Sequence, residues 1–503
     1  MSTKYLKHPN PVYRNNPLIE ALGLPLLKDD LVAKCTRKYS TELELDGIPP
    51  EYHGFYRRTA IDNLIRFHEP RDELYKIYDI QRRMIESGLV RRNPLIQPAN
   101  KLGVPIMALL SAINKDLQES KNKTTARAPA NKQIKSFNVK KLGFAEVDHS
   151  YVFAGLSGVG KSSLMEAMIQ AEEQVIYHTS YTDSNGTKHP FQMKQIQKLY
   201  LKVDNRKGQK STLLSILESI DALVDEEYTT SLKGSDIREL IAAVRKAVVI
   251  HGVGLIIFDE AQNLAPSSKN EIIGASERVS MKFLEEIFNH ISVPTFFVGT
   301  FSLLNLFTRE MTIARRSAKD GCTLLSSCAI ESPFWDRLCR TLFQARLLKT
   351  QRTEYEIIKN HLHHLSAGLP AVAVSLTRAT LNFLSFLAPK NQDFSVAALN
   401  KIYREQFEIL HKPLEALKNG NYIGYEDFEP MHLLQSVESA IKSQFSQSAK
   451  VSEIDNLLTG NPVIKKPAVA TEIEDAISKD LDALAQGMSP SALVGDFQSN
   501  TVR

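Results

Sequence analysis

Apolar positions follow two regimes along the 503-residue chain. Between residues 58 and 90, Ile61, Leu64, Ile65, Leu74, Ile77, Ile80, Met84 and Ile85 recur at roughly helical spacing, which predicts helix across the stretch. From about residue 146 the pattern becomes short, continuous apolar runs at 151–155, 174–178, 198–204, 255–259 and 295–300. Such runs suit strands buried on both faces. Helix-period stretches at 161–173, 236–250 and 276–292 separate several of them. This alternation predicts an α/β fold with a central, mainly parallel sheet covered by helices. Asn185-Gly186, between the second and third runs, suits a hairpin turn. After about 345 the strand pattern stops, and 352–417 reads as helix broken at Gly368, Pro370 and Pro389.

The flanks read differently. Pro9, Pro11, Pro17 and Pro25 predict an extended arm over residues 1–25. Residues 114–141 are rich in lysine and arginine around Ala-Pro-Ala and read as a solvated basic linker. Residues 451–503 are polar with an acidic excess, a tail expected to stay mobile until a partner orders it. The resulting organisation is an N-terminal extension with basic linker over 1–145, an α/β core over 146–345, a helical subdomain over 346–425 and a tail over 426–503.

Composition narrows this little. Hydrophobic residues make up 43% and charged residues 24%, ordinary for a globular chain. No run approaches the ~18 uninterrupted apolar residues of a membrane span. The first residues hold no apolar signal core. Cys35, Cys322, Cys328 and Cys339 lack metal-ligand spacing and are too few for a disulfide framework, so a reducing, cytoplasmic setting is expected. The net charge of +5 neither implies nor excludes nucleic acid and moves that question to local charge.

The chemistry is concentrated in the core. Gly155-Leu156-Ser157-Gly158-Val159-Gly160-Lys161-Ser162 fits the P-loop pattern G-x-x-x-x-G-K-[ST] between a strand and a helix. Its glycines allow backbone N–H groups from Gly155, Ser157, Gly158, Val159 and Gly160 through Ser163 to wrap phosphates at a helix N-terminus. Lys161 is expected on the β- and γ-phosphates of ATP, and the Ser162 hydroxyl on Mg²⁺. The run at 255–259 ends in Asp259-Glu260, placing one carboxylate for the Mg²⁺ water shell and one to polarise an attacking water. The glutamate argues for hydrolysis over small-molecule phosphorylation. Thr300 ends the next apolar run, where a sensor 1 residue would contact the γ-phosphate or the water. Arg315-Arg316 follows, and either could serve as an arginine finger acting on a neighbouring subunit. Arg206, Lys207, Lys210 and Thr212 form a basic, acid-free loop after the third run, suited to phosphates of DNA. Trp335 reads as a packing residue rather than a base-stacking one.

With these motifs in place the chain resembles the TnsC/TniB group, the AAA+ ATPase regulators of Tns-type DNA transposons, in its longer TnsC form. The resemblance rests on Tyr13-Arg14-Asn15-Asn16-Pro17-Leu18-Ile19-Glu20-Ala21-Leu22, Arg92-Asn93-Pro94, Gln174-Val175-Ile176-Tyr177-His178, Ala314-Arg315-Arg316, Phe334-Trp335-Asp336 and His411-Lys412-Pro413-Leu414-Glu415-Ala416-Leu417 with Gly420. It runs from about 13 to 425. It implies an AAA+ P-loop fold with a helical lid and ATP-dependent assembly as a ring or filament on double-stranded DNA. It also implies a targeting partner of TniQ or TnsD type, facing the N-terminal region. Transposase subunits of TnsA and TnsB type would face the tail. The chain departs from the wider AAA+ pattern at sensor 2. Gly368-Leu369-Pro370-Ala371-Val372-Ala373 holds no arginine there, and the next, Arg378, lies about two turns on. Three other classes fit less well. A replication initiator or clamp loader usually appends a winged-helix or collar domain, a STAND-type signalling switch carries repeats or an effector domain, and a small-molecule kinase rarely needs Glu260.

Overall fold

The structure, a computed structural model, describes residues 3–38, 43–95, 106–122, 142, 149–204, 209–232, 234–264, 291–308, 315–344, 352–421 and 425. All lie in one unit, Met1–Val437; the tail beyond it, with its expected mobility, falls outside the described residues. Among the described residues there are seven strands: β1 (Ser150–Gly155), β2 (Val175–Thr182), β3 (Lys188–Ile196), β4 (Lys198–Lys202), β5 (Leu255–Asp259), β6 (Thr295–Gly299) and β7 (Cys322–Leu325). Five form one sheet in the order β4-β5-β6-β1-β7. Every neighbouring pair in it is parallel. β1, β5 and β6 are buried at every position, as continuous apolar runs require. Phe258 and Phe297 stack between neighbouring strands with ring centroids 5.6 Å apart.

Several elements depart from the sequence expectation. The second apolar run does not join the main sheet. β2 instead pairs antiparallel with β3, which was not expected, in a separate two-stranded sheet. Asn185-Gly186 does turn this hairpin, with Gly186 at φ 81° and the Asp183 carboxylate accepting from Asn185 and Thr187 N–H. β3 was hidden because its buried apolar residues are just Phe191, Met193 and Ile196, set among polar ones that include the buried Gln195. The 58–90 helix is two helices, His53–Asp62 and Leu74–Val90, parted by an Asn63–Arg66 turn and the segment around Pro70. β7, only four residues long, was missed because Cys322 and Thr323 dilute its apolar signal.

The arm over 1–25 is packed rather than merely extended. Leu18, Ile19 and Leu22 are buried. The Asn16 side chain donates to Leu89 O at 2.9 Å, and Gln195 Nε2 donates to Leu18 O at 2.9 Å. The expected basic linker likewise begins inside a helix, Ile106–Asn122, whose Ile113 and Leu117 are buried. There Asn114 Nδ2 donates to Ile250 O at 3.3 Å. The remainder of that linker, residues 123–141, is outside the described residues.

His178 ties the arm to the hairpin and supplies a pH prediction. Its Nε2 faces Gln195 Oε1 and its Nδ1 faces the Tyr5 hydroxyl, both at 2.8 Å, which suits a neutral ring protonated at Nε2. Burial pushes its pKa down to about 4, against a smaller opposing effect of the Gln195 bond. As pH falls below ~6.5 the unfolded chain gains a proton here that the folded chain refuses until about 4. The stability contribution is therefore whole above ~6.5 and is lost on acidification towards 4, by up to ~3 kcal/mol. Urea midpoints at pH 7.5 and 5.0 should fall further in the wild type than in His178→Gln; equal falls would contradict this.

Helices Tyr355–Ser366, Pro370–Ser385, Val396–Gln406 and Glu408–Lys418 make the helical lid, and Pro333–Gln344, which the sequence boundaries put in the α/β core, shares its hydrophobic cluster and is counted with it. Its core holds Trp335, Leu338, Leu362, Leu376, Leu399 and Ile402, and takes in Ile61 and Leu64 from the N-terminal region. Trp335 is fully buried and packs edge-on against His363, as a packing residue should. Among the described residues no helix is long and apolar enough to cross a membrane.

Candidate nucleotide site

The parallel sheet delivers its chemistry to one edge. Ala154 pairs with Gly299 and Phe258 with Phe297, so β1, β6 and β5 end together. The P-loop leaves β1 at Gly155, where a Cβ would lie 2.5 Å from Leu325 O of β7. Only glycine lets the loop start so close to that backbone, and Leu156 N–H bonds the same carbonyl at 3.1 Å. Gly158 and Gly160 take positive φ, and Gly160 opens the helix Lys161–Ala171. Ser157 and Ser163 are exposed, Ser162 half-buried and Val159 buried. Lys161 is buried, and its Nζ donates to Gly155 O at 2.7 Å and Leu156 O at 2.8 Å. These are neutral acceptors. An anionic phosphate oxygen is a stronger one, so the loop and its lysine fit a bound polyphosphate.

The acids sit beyond β5. Asp259 is buried; its Oδ2 accepts from the Tyr200 hydroxyl at 2.6 Å and its Oδ1 from Glu260 N–H at 2.9 Å. Burial beside this carboxylate pushes the Tyr200 hydroxyl pKa well up, so Tyr200 stays a donor. A buried carboxylate fixed by two donors at the sheet edge fits a role beside a hydrated magnesium ion. Glu260 stands in left-handed backbone at φ 55°, a conformation that costs a non-glycine residue about 1–2 kcal/mol and clusters at functional sites. Gln262 Nε2 donates to Glu260 Oε2 at 2.6 Å, and Gln262 Oε1 accepts Thr300 N–H at 3.2 Å. The Thr300 hydroxyl pairs with Ser302 at 2.6 Å. β6 thus lies between the two motif strands, and Thr300 is at the edge where a sensor 1 residue is expected.

Two further regions touch the loop. Ala371 N–H, at the start of a lid helix, donates to Gly158 O at 3.1 Å, and the Tyr425 hydroxyl to Ser157 O at 3.0 Å. Arg71, from the N-terminal extension, donates to Val159 O at 3.1 Å and pairs with Glu73. Arg337 of the lid holds the same segment through Glu69 at 2.7 Å, Asp72 at 2.9 Å and Pro70 O at 3.0 Å. Arg378 is elsewhere in the lid, lining a cavity with Asp62, Asn382 and Phe386. The position over the P-loop belongs to Pro370-Ala371, so no sensor 2 arginine is found there among the described residues.

Arg315 is exposed and Arg316 half-buried, its carbonyl accepting from the Ser150 hydroxyl. Ser150 begins β1, so both arginines lie at the opposite edge of the sheet from the P-loop of their own chain. Of the basic loop, Arg206 and Lys207 are outside the described residues. Lys210 is exposed, whereas Thr212 is buried on the helix Gln209–Val224. The sequence reading missed Arg71, Tyr200 and Gln262. Only Gln262, two residues past Glu260, had a local signal.

The strand order, P-loop and paired acids define a P-loop nucleotide-binding domain with the AAA+ fold. A family model described as an AAA domain matches residues 146–307. Among solved structures the chain is similar to the ORC2 protein of Aeropyrum pernix in its ADPNP–ADP complexes, at 12% identity and a TM-score of 0.33, over 80% of this chain and 91% of that one. It is also similar to a Walker-type ATPase of Pyrococcus abyssi, at 12% identity and a TM-score of 0.32, over 69% of this chain and 92% of that one. No curated protein matches.

Proposed function

We propose that the chain is an AAA+ ATPase regulator of DNA transposition, of the TnsC type. It binds MgATP, assembles with copies of itself on double-stranded DNA, and links a targeting protein of TniQ or TnsD type to transposase subunits of TnsA and TnsB type. Hydrolysis to ADP and phosphate sets how long the assembly lasts. The observation that carries this reading is the split of the site across the sheet. Lys161, Asp259, Glu260 and Thr300 stand at one edge, and Arg315 and Arg316 at the other. An arginine there reaches a γ-phosphate only on a neighbouring subunit, which ties hydrolysis to assembly. The motifs shared with the transposition regulators support the rest.

Ser162 and Asp259 are the residues that would hold magnesium, which when bound neutralises charge on the phosphate oxygens. The loop N–H groups and Lys161 orient the triphosphate. Glu260 polarises a water whose oxygen attacks the γ-phosphorus as the bond to the bridging oxygen breaks. Thr300 fixes the water, and the neighbour's arginine stabilises charge as it develops. Lys210, with Arg206 and Lys207, supplies sequence-independent phosphate contacts on DNA.

The test mixes two inactive variants in the presence of duplex DNA. Arg315→Ala/Arg316→Ala keeps an intact P-loop and acids. Glu260→Gln keeps the arginines and still binds ATP. Each alone should fall ~10³-fold in turnover, and the mixture should recover a sizeable fraction. No recovery, together with a per-subunit rate independent of protein concentration, would contradict action between subunits.

A further inference from the structure

We propose that Gln262 is a positioning residue for hydrolysis, locking the Glu260 carboxylate to the end of β6. The inference rests on the reading of Glu260 as the group that polarises water. Gln262 lies in the Ala261–Leu264 turn directly after β5, and its carboxamide is engaged at both ends. Nε2 donates to Glu260 Oε2 at 2.6 Å, and Oε1 accepts the backbone N–H of Thr300 at 3.2 Å. The side chain must offer a donor to an ionised carboxylate and an acceptor to an N–H. An amide does both, whereas a carboxylate has no donor and an alkyl chain has neither.

The backbone is shaped around this bridge. A Cβ on Gly299 would lie 2.4 Å from Gln262 Oε1, so glycine at the last position of β6 opens the path to Thr300. Glu260 is itself fixed at φ 55°, with its N–H on Asp259 Oδ1 at 2.9 Å and its carbonyl accepting from Asn263 N–H at 2.9 Å. These bonds set the backbone of Glu260, and the charge-assisted bond from Gln262 selects the direction of its carboxylate. A general base works only within hydrogen-bond reach of the proton it takes. Because Thr300 N–H and Glu260 Oε2 hang on the same amide, the base and the sensor strand keep one fixed relation. Asp259 is set independently by Tyr200 from β4. Gln262 therefore acts on the water-attack step and not on holding nucleotide.

The experiment compares steady-state ATP hydrolysis with affinity for a non-hydrolysable ATP analogue, in the full chain with duplex DNA. The variants are Gln262→Met, Gln262→Glu, Gly299→Ala and Glu260→Gln. Gln262→Met should lower kcat ~10- to 100-fold while KM and analogue affinity stay within ~2-fold. Gln262→Glu, which sets a like charge against Glu260, should fall at least as far. Gly299→Ala displaces the amide without removing it and should show the same split. Gln262→Met turning over within ~2-fold of wild type, with Glu260→Gln inactive, would overturn the clamp and leave the base in place. Loss of analogue affinity in Gln262→Met would also overturn it, making Gln262 part of nucleotide binding. Normal turnover in Glu260→Gln would overturn the base assignment and the clamp together.

Discussion

Replacing Lys161 with alanine is expected to abolish nucleotide binding and DNA-dependent assembly together. Lys161 is buried at the start of the P-loop helix, and in the structure its ammonium is satisfied by Gly155 O and Leu156 O. Those carbonyls are neutral; the triphosphate would replace them with anionic oxygens at the same ammonium. Removing one partner of a buried charged pair costs about 2–5 kcal/mol, or ~30- to several-thousand-fold in affinity. The loop itself should survive, because its shape is set by Gly158, Gly160 and the close approach of Gly155 to β7 rather than by the lysine. Nucleotide titration and sedimentation on duplex DNA check both consequences. Assembly that still responds to ATP in Lys161→Ala would refute the assignment of the P-loop.

Glu260→Gln should separate binding from turnover. The amide keeps the size of the side chain and leaves Asp259, Ser162 and Lys161 untouched, so ATP affinity should persist. It cannot take up a proton from water, and turnover should fall ~10²- to 10⁴-fold. The left-handed backbone at Glu260 remains in the variant, as does the Glu260 N–H bond to Asp259. A change in stability is therefore not expected to confuse the result. Single-turnover hydrolysis measured beside analogue binding gives both quantities, and normal hydrolysis would remove Glu260 from the mechanism.

The parts of this site that the sequence reveals are those written in contiguous residues. The P-loop is eight residues between a strand and a helix, and Asp259-Glu260 closes an apolar run. Local pattern carries both. The residues that hold them in place pair across long stretches of chain. Tyr200 meets Asp259 at a separation of 59 residues, Arg71 meets Val159 at 88, and Thr300 meets Gln262 at 38. No periodicity encodes such pairings; they follow from strand order. The fold divides in the same way. β1, β5 and β6 are continuous apolar runs and read directly, whereas β3 alternates and hides among lysine, glutamine and histidine. Prolines made residues 1–25 look unpacked, yet Leu18, Ile19 and Leu22 between them supply enough apolar surface to dock the arm on the hairpin.

Nucleotide-dependent assembly on DNA is tested most directly by imaging Glu260→Gln particles with duplex DNA, with and without ATP. Closed rings or filaments encircling DNA only when ATP is present, with Arg315 or Arg316 of one subunit facing the P-loop of the next, is the predicted result. Persistent single chains under both conditions would contradict it.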